Sequence, residues 1–184
     1  MRAKVSRARG LGSTTKGVLR SCDVPVLVVR GETRAKDATQ SFHRAIVAID
    51  NSEPADAAVA IALRLAQTTG TRLVLCHVVD SPGLRETAAP FGNDVAPAIA
   101  ELHRAGRDLL EGAQSRVEAA NAHADTDVLE GEPVSAILEA AKSQAADLII
   151  TGSHGRRGLR RFFLGSVAES IARHSDIPVL VVRS

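Results

Sequence analysis

From residue 44 onward the chain alternates short β-branched apolar runs with stretches of helical periodicity, and that alternation admits few folds. The runs fall at residues 44–50 (RAIVAID), 72–79 (RLVLCHVV), 147–151 (DLIIT) and 178–183 (PVLVVR), with a weaker one near 126–130. Between the first two, a helix is expected over 53–69. Asn51 or Ser52 is placed to cap it, Pro54 sits in its first turn and Gly70 stops it. Its apolar stripe is Val59, Ala62, Leu63 and Ala66. Residues 81–93 (SPGLRETAAPFGN) read as a Pro/Gly-rich loop. A long helix is then expected over 94–121, with Leu102, Leu109, Ala113, Val117 and Ala120 inward. Val134, Ile137, Leu138 and Ala141 mark another helix, and residues 165–174 the last. Five strands separated by helices predict a doubly wound α/β domain, a parallel sheet covered on both faces. Ligands on such sheets bind beyond the carboxyl ends of the strands, where Asp50, Val78 and residues 151–155 fall.

The second constraint is an internal repeat. Residues 11–30 (LGSTTKGVLRSCDVPVLVVR) and 164–183 (LGSVAESIARHSDIPVLVVR) agree at 11 of 20 positions at a constant offset of 153. Residues 1–30 therefore read as the closing helix and strand of a preceding domain. The polar residues 31–43 read as a linker and residues 44–184 as a complete domain. An exposed Val-rich edge invites association. The expectation is that Val24 through Val29 pairs with Val179 through Val182, within the chain as a pseudo-dimer or between chains as a homodimer.

Composition removes several classes. The chain has four Phe and no Trp or Tyr, so the aromatic platforms that stack bases are missing. A net charge of +2 gives little pull towards nucleic acid or anionic membrane. Cys22 and Cys76 have no CxxC spacing, which fits reduced thiols in a cytoplasmic protein. The basic start (Arg2, Lys4, Arg7, Arg9) is followed by no apolar signal core, and no apolar run approaches the ~20 residues of a spanning helix.

Chemistry concentrates in residues 151–166, TGSHGRRGLRRFFLGS, which leave a strand and enter a helix. Gly152 and Gly155 allow close backbone approach and positive φ. Gly165 and Ser166 open the final helix, whose unpaired N–H groups and dipole favour an anion. The Ser166 hydroxyl can cap that terminus or bond a phosphate oxygen. A Gly-rich turn followed by an ordinary N-cap gives the same letters. Asp50, at a strand end, can accept from a ligand amine or hydroxyl, or cap the following helix. His154 is either a site residue or a solvated loop residue. Arg156, Arg157, Arg160 and Arg161 can screen phosphate charge or form a solvated face. The first repeat copy keeps Gly12 and Ser13 but has no upstream Gly-x2-Gly, so it builds no second cradle.

Gly152-x2-Gly155-x9-Gly165-Ser166 resembles, without a gap, the ATP-associated pattern G-x2-G-x9-G-[S/T] of universal stress proteins. The flanking DLIITGSHG, IPVLVV, VAID and CHVV segments resemble that family too. The resemblance implies an adenine-nucleotide α-hydrolase-like sheet with flavodoxin-like layering, order 3-2-1-4-5, plus the extra N-terminal helix and strand. It implies that Asp50 lies at the adenine and ribose end, with Ala48 and Val78 lining the base. Gly152, Gly155, Gly165, Ser166 and Val167 would hold phosphates and ribose, with Thr151 and His154 beside them. The ligand implied is ATP or another adenine nucleotide, accompanied by Mg²⁺, in a stress-response module with at most weak hydrolysis. The competing reading is an adaptor that keeps the fold, takes no nucleotide and works through dimerisation or partner binding. For a dedicated ATP-using enzyme the sequence offers no Walker A pattern, no strong metal cluster and no convincing nucleophile–base pair.

Overall fold

A computed structural model describes residues 12–22, 24–29, 42–91, 94–155 and 164–183. Six strands form one sheet in the order β1-β6-β5-β2-β3-β4. They are β1 (Val26–Val28), β2 (Arg44–Ala48), β3 (Arg72–Val79), β4 (Ala124–Glu130), β5 (Leu148–Gly152) and β6 (Val179–Val182). The helices are α1 (Ser13–Ser21), α2 (Glu53–Thr69), α3 (Ser81–Ala88), α4 (Ala96–Ala119), α5 (Pro133–Ser143) and α6 (Ser166–His174). Strands β2 to β6 run parallel, and β1 closes the edge antiparallel to β6. The expected 3-2-1-4-5 order is therefore present in β4-β3-β2-β5-β6, and the sheet is six-stranded because the extra N-terminal strand joins it.

Alternation along the central strands sends side chains into two cores. Ala45, Val47, Leu73, Leu75 and Ile150 pack with α2 and α4 on one face. Ile46, Val74, Cys76 and Ile149 pack with α1, α5 and α6 on the other. Both faces are dry, which is why these strands read as unbroken apolar runs. Strand β2 has β3 on one side and β5 on the other, so the chain reverses its direction of winding there. The crevice that ligands use on such sheets opens at that point.

Of the stretch expected as a loop, the described residues 81–91 are not a simple loop. Residues Ser81–Ala88 form α3, followed by a 3₁₀ turn at Ala89–Phe91. Pro82 and Gly83 suggested a break, yet Pro is at home in a first turn, and the Asp80 carboxylate accepts from the Gly83 N–H at 2.9 Å. The long helix starts at Ala96, with Asp94 accepting from its N–H, and its inward stripe is Ile99, Gly106, Leu110, Ala113 and Val117. Leu102 is 41% exposed and Ala120 is half-buried. The rotation follows from Gly106, where a Cβ would stand 2.8 Å from the His77 ring, so a glycine marks the inward face that leucines were expected to mark.

The expected pairing at the sheet edge is present within the chain. Val26 faces Val181, Leu27 faces Leu180 and Val28 faces Val179. In repeat coordinates these pairs are symmetric, with Leu27 opposite its own counterpart Leu180. The two copies are thus related by a local two-fold axis. They differ in burial: Ile171 and Val182 are 0% exposed, whereas their counterparts Val18 and Val29 are 44% and 45% exposed.

Candidate functional site

The site is built where four strands end and four helices begin. Strand β2 leads through Ile49 and Asp50 into α2, β3 through Asp80 into α3, β4 through Gly131 and Glu132 into α5, and β5 through residues 153–155 towards α6. A cleft of about 820 Å³ lies over these ends. Ala48, Asp50, Val78, Thr151, Gly152, His154, Gly155, Gly165, Ser166 and Val167 all line it. Every described residue singled out from the sequence as a site residue therefore lines one space.

Three of the four helix N-termini already carry a side-chain cap. Ser52 caps α2, its Oγ accepting from the Ala55 N–H at 3.3 Å. Asp80 caps α3, and the Glu132 carboxylate accepts from the N–H groups of Val134 and Ser135 at the head of α5. The Ser135 N–H is the leading reason that the Glu132 carboxyl is held below its usual range. Helix α6 differs, because its N-cap is Gly165, which has no side chain to cap it, and no side-chain cap is made there among the described residues. Ser166 is the first helical residue, not the cap, so its hydroxyl is not consumed by capping. The N–H groups of that turn lack intrahelical partners by geometry, and the dipole places partial positive charge there.

The glycines are needed for proximity. A Cβ at Gly155 would collide with the Asp50 carboxylate. One at Gly165 would stand 3.1 Å from the His154 Cα and 3.3 Å from the Ser153 carbonyl oxygen. Positive φ is not the reason, since among the described glycines only Gly70 and Gly131 adopt it. At Gly152 the obstacle is the head of α2, with Pro54 Cβ at 2.9 Å and Ala55 N at 3.1 Å. This glycine lets α2 begin directly against β5.

Asp50 is anchored as well as placed. Its Oδ1 accepts from the Ser52 hydroxyl at 2.6 Å and from the Ser52 N–H at 3.3 Å. The carboxylate therefore supports the residue that caps α2, without capping the helix itself. Ser153, which the sequence reading passed over, ties the two bends together. Its N–H donates to Val182 O at 2.7 Å, and its carbonyl accepts from the Gly165 N–H at 2.7 Å. Its side chain is buried against His154 Nδ1 at 3.0 Å. Cys76, Asp80, Pro133 and Ile137 also line the cleft and were not anticipated. Asp80 was foreshadowed by its position at a strand end, like Asp50; Pro133 opens α5 at the end of β4, and Ile137 lies one turn further along that helix. Burial, helped by the Asp127 charge, pushes the Cys76 thiol up to about 12, so it forms part of an uncharged wall. The four arginines of the β5–α6 connection lie outside the described residues.

The arrangement pairs an apolar slot (Ala48, Cys76, Val78, Ile137) with a hydrogen-bonding carboxylate and an uncapped helix start. Such a space suits an elongated ligand with a flat apolar end and an anionic tail.

Comparison with known proteins agrees with that geometry. The model of the universal stress protein family matches residues 41–183. Stress response protein NhaX of Bacillus subtilis is 32% identical over 167 residues, covering 77% of this chain and 99% of that protein. A universal stress protein of Mycolicibacterium smegmatis is 34% identical over 177 residues, covering 94% of this chain but 56% of its own. Among solved structures, the universal stress protein UspA of Lactobacillus plantarum superposes with a TM-score of 0.65 at 26% identity, covering 79% of this chain and all of that one. A universal stress protein in complex with cAMP gives 0.54 at 26% identity, covering 78% and 98%. With a family match over most of its length and the family's sheet order in its fold, this chain belongs to the universal stress protein family.

Proposed function

We propose that this chain is an adenine-nucleotide-binding member of the family, a stress-response module that holds ATP or a related nucleotide and is not a dedicated catalyst. The observation that carries the reading is the start of α6, which has no side-chain cap from Gly165 and sits beside the bend at residues 153–155 in the wall of the cleft. A Cβ at Gly155 would meet the Asp50 carboxylate and one at Gly165 the backbone of Ser153 and His154, so neither position has room for a side chain. The site residues fit the ligand class: Ala48 and Val78 offer a surface for the base, and Asp50 an acceptor for ribose hydroxyls. Gly155, Ser166 and Val167 offer main-chain N–H groups to phosphate oxygens, while Gly165, whose own N–H is held by the Ser153 carbonyl, allows close approach. The relative solved in complex with cAMP supports an adenine nucleotide as the ligand class. Mg²⁺, expected beside a triphosphate, finds no group of three or more metal-binding side chains among the described residues, so phosphate oxygens would hold it.

Two further parts of the reading concern the chain as a whole. Residues 1–30 correspond to the closing helix and strand of a preceding domain, residues 31–43 to a linker and 44–184 to the nucleotide-binding domain. The repeat supports this, as does the longer Mycolicibacterium smegmatis relative that matches 94% of the chain with 56% of its own length. Cytoplasmic residence belongs to the proposal and rests on Cys22 and Cys76 standing as free thiols. No described helix is long and apolar enough to cross a membrane.

The test is direct. The purified protein is denatured, any released nucleotide is identified by chromatography, and the emptied protein is titrated calorimetrically with ATP and cAMP. Bound nucleotide, or heat that disappears in Gly155→Ala, supports the reading. No released nucleotide together with no heat from either ligand overturns it and leaves the adaptor role.

A further inference from the structure

The repeat places Lys16 and Glu169 at the same position of its two copies, and in the fold these two residues meet, Nζ to Oε1 at 2.9 Å. Contact between equivalent positions occurs only beside a two-fold axis, as with Leu27 and Leu180 in the strand pair. At this point the copies carry opposite charges. We infer that Lys16 and Glu169 form a selectivity pair, which makes the edge of β6 accept the chain's own α1–β1 unit and reject a second copy of the chain.

The argument is one of symmetry and charge. If two chains paired β6 with β6 in the register that β1 now uses, each residue would meet its equivalent across the axis. Leu180 would then face Leu180 of the second copy, and Val179 its Val181, so the strands alone accept a homodimer as readily as the internal pairing. Glu169 would instead face a second Glu169, two like charges in contact where a Lys–Glu pair now stands. Like-charge juxtaposition is a standard means of excluding a wrong partner. Arg173 relieves it only in part: in such a dimer the second copy's Arg173 would stand where Arg20 stands now, 3.7 Å from Glu169, and each Arg173 is also shared with the Glu169 of its own helix. Arg20, the first-copy equivalent of Arg173, also lies near Glu169, at 3.7 Å. The Lys16 hydrogen bond is foremost in holding the Glu169 carboxyl below its usual range, with Arg173 and Arg20 adding their charges. Glu169 is well shielded, with its side chain 17% exposed, so solvent screens the pair less than it would a pair on the open surface.

This inference rests on the strand pairing and not on the nucleotide reading, so the two fail separately. The test uses the full chain as Lys16→Glu, Glu169→Lys and the double charge swap, followed by hydrogen exchange and light scattering. Each single variant is expected to speed exchange of the Val26 and Val28 amides by about threefold to tenfold. The double swap should recover a substantial part of that loss, and the unaltered chain should have the mass of one chain. Unchanged protection at Ile149 and Ile150 shows that the variants remain folded. A double variant whose exchange equals the product of the two single effects shows no coupling and overturns the inference. So does an unaltered chain that is already a dimer with fast-exchanging Val26 and Val28.

Discussion

At the residue scale, the cleft is defined by what is missing from side chains. Gly155→Ala drives a methyl group at the Asp50 carboxylate. The expected result is at least a tenfold weaker nucleotide affinity by calorimetry, with the far-UV spectrum unchanged. Gly152→Ala pushes against the backbone of Pro54 and Ala55, which cannot swing aside, so overpacking should cost about 1–3 kcal/mol in urea denaturation. A smaller loss, about 1 kcal/mol, is expected for Ser52→Ala, which removes the cap of α2 and the bond to Asp50. The glycines and Ser166 were readable in the sequence because their spacing is rigid and their chemistry is local. Ser153 was not, because its role comes from Val182 and Gly165, partners that only the folded sheet brings to it.

At the scale of elements, the repeat supplies an internal control. Val182 and Val29 hold the same position of two similar segments, one buried in the core and one largely open. Val182→Ala should cost about 2 kcal/mol, and Val29→Ala no more than about 0.5 kcal/mol, by the same denaturation assay. Equal losses would show that the exposed copy is covered in solution. The start of β2 is held differently, by Asp147 at the entry to β5. Partial burial works against ionisation of its carboxyl, but the N–H groups of His43 and Arg44 and the His43 ring outweigh burial and leave the carboxyl below its ordinary 3.8. A lowered folded value means that the stabilisation is complete above the ordinary value and fades as pH falls through the folded one. Asp147→Asn should therefore flatten the acid limb of a stability profile below about pH 4, with little change in its slope above pH 6. The strands were visible because both faces of the sheet are dry, which makes each run continuously apolar. Helix α3 was hidden by Pro82 and Gly83, whose turn-forming character hides the cap that Asp80 provides.

At the scale of the whole molecule, the α1–β1 unit packs on α6 and β6 at one end of the sheet, away from the centre of either core. It should open below the global unfolding transition, so the Val26 and Val28 amides should exchange far faster than those of Ile149 and Ile150. Matching rates would mean that the sheet unfolds as one body. The sheet order was legible because winding rules leave few arrangements, and the sixth strand because it repeats the last. The pocket's outline was only partly legible, since the first turns of α5, with Pro133 and Ile137, read in the sequence as ordinary helix and not as a wall of the cleft. The outermost strands carry a consequence for colloidal behaviour. One rim is three residues long, and the other, Ala124–Glu130, bears three acidic side chains. Neither gives a growing fibril much of a first rung, so concentrated solutions of this Val-rich protein should stay clear where a longer, neutral border would seed precipitation.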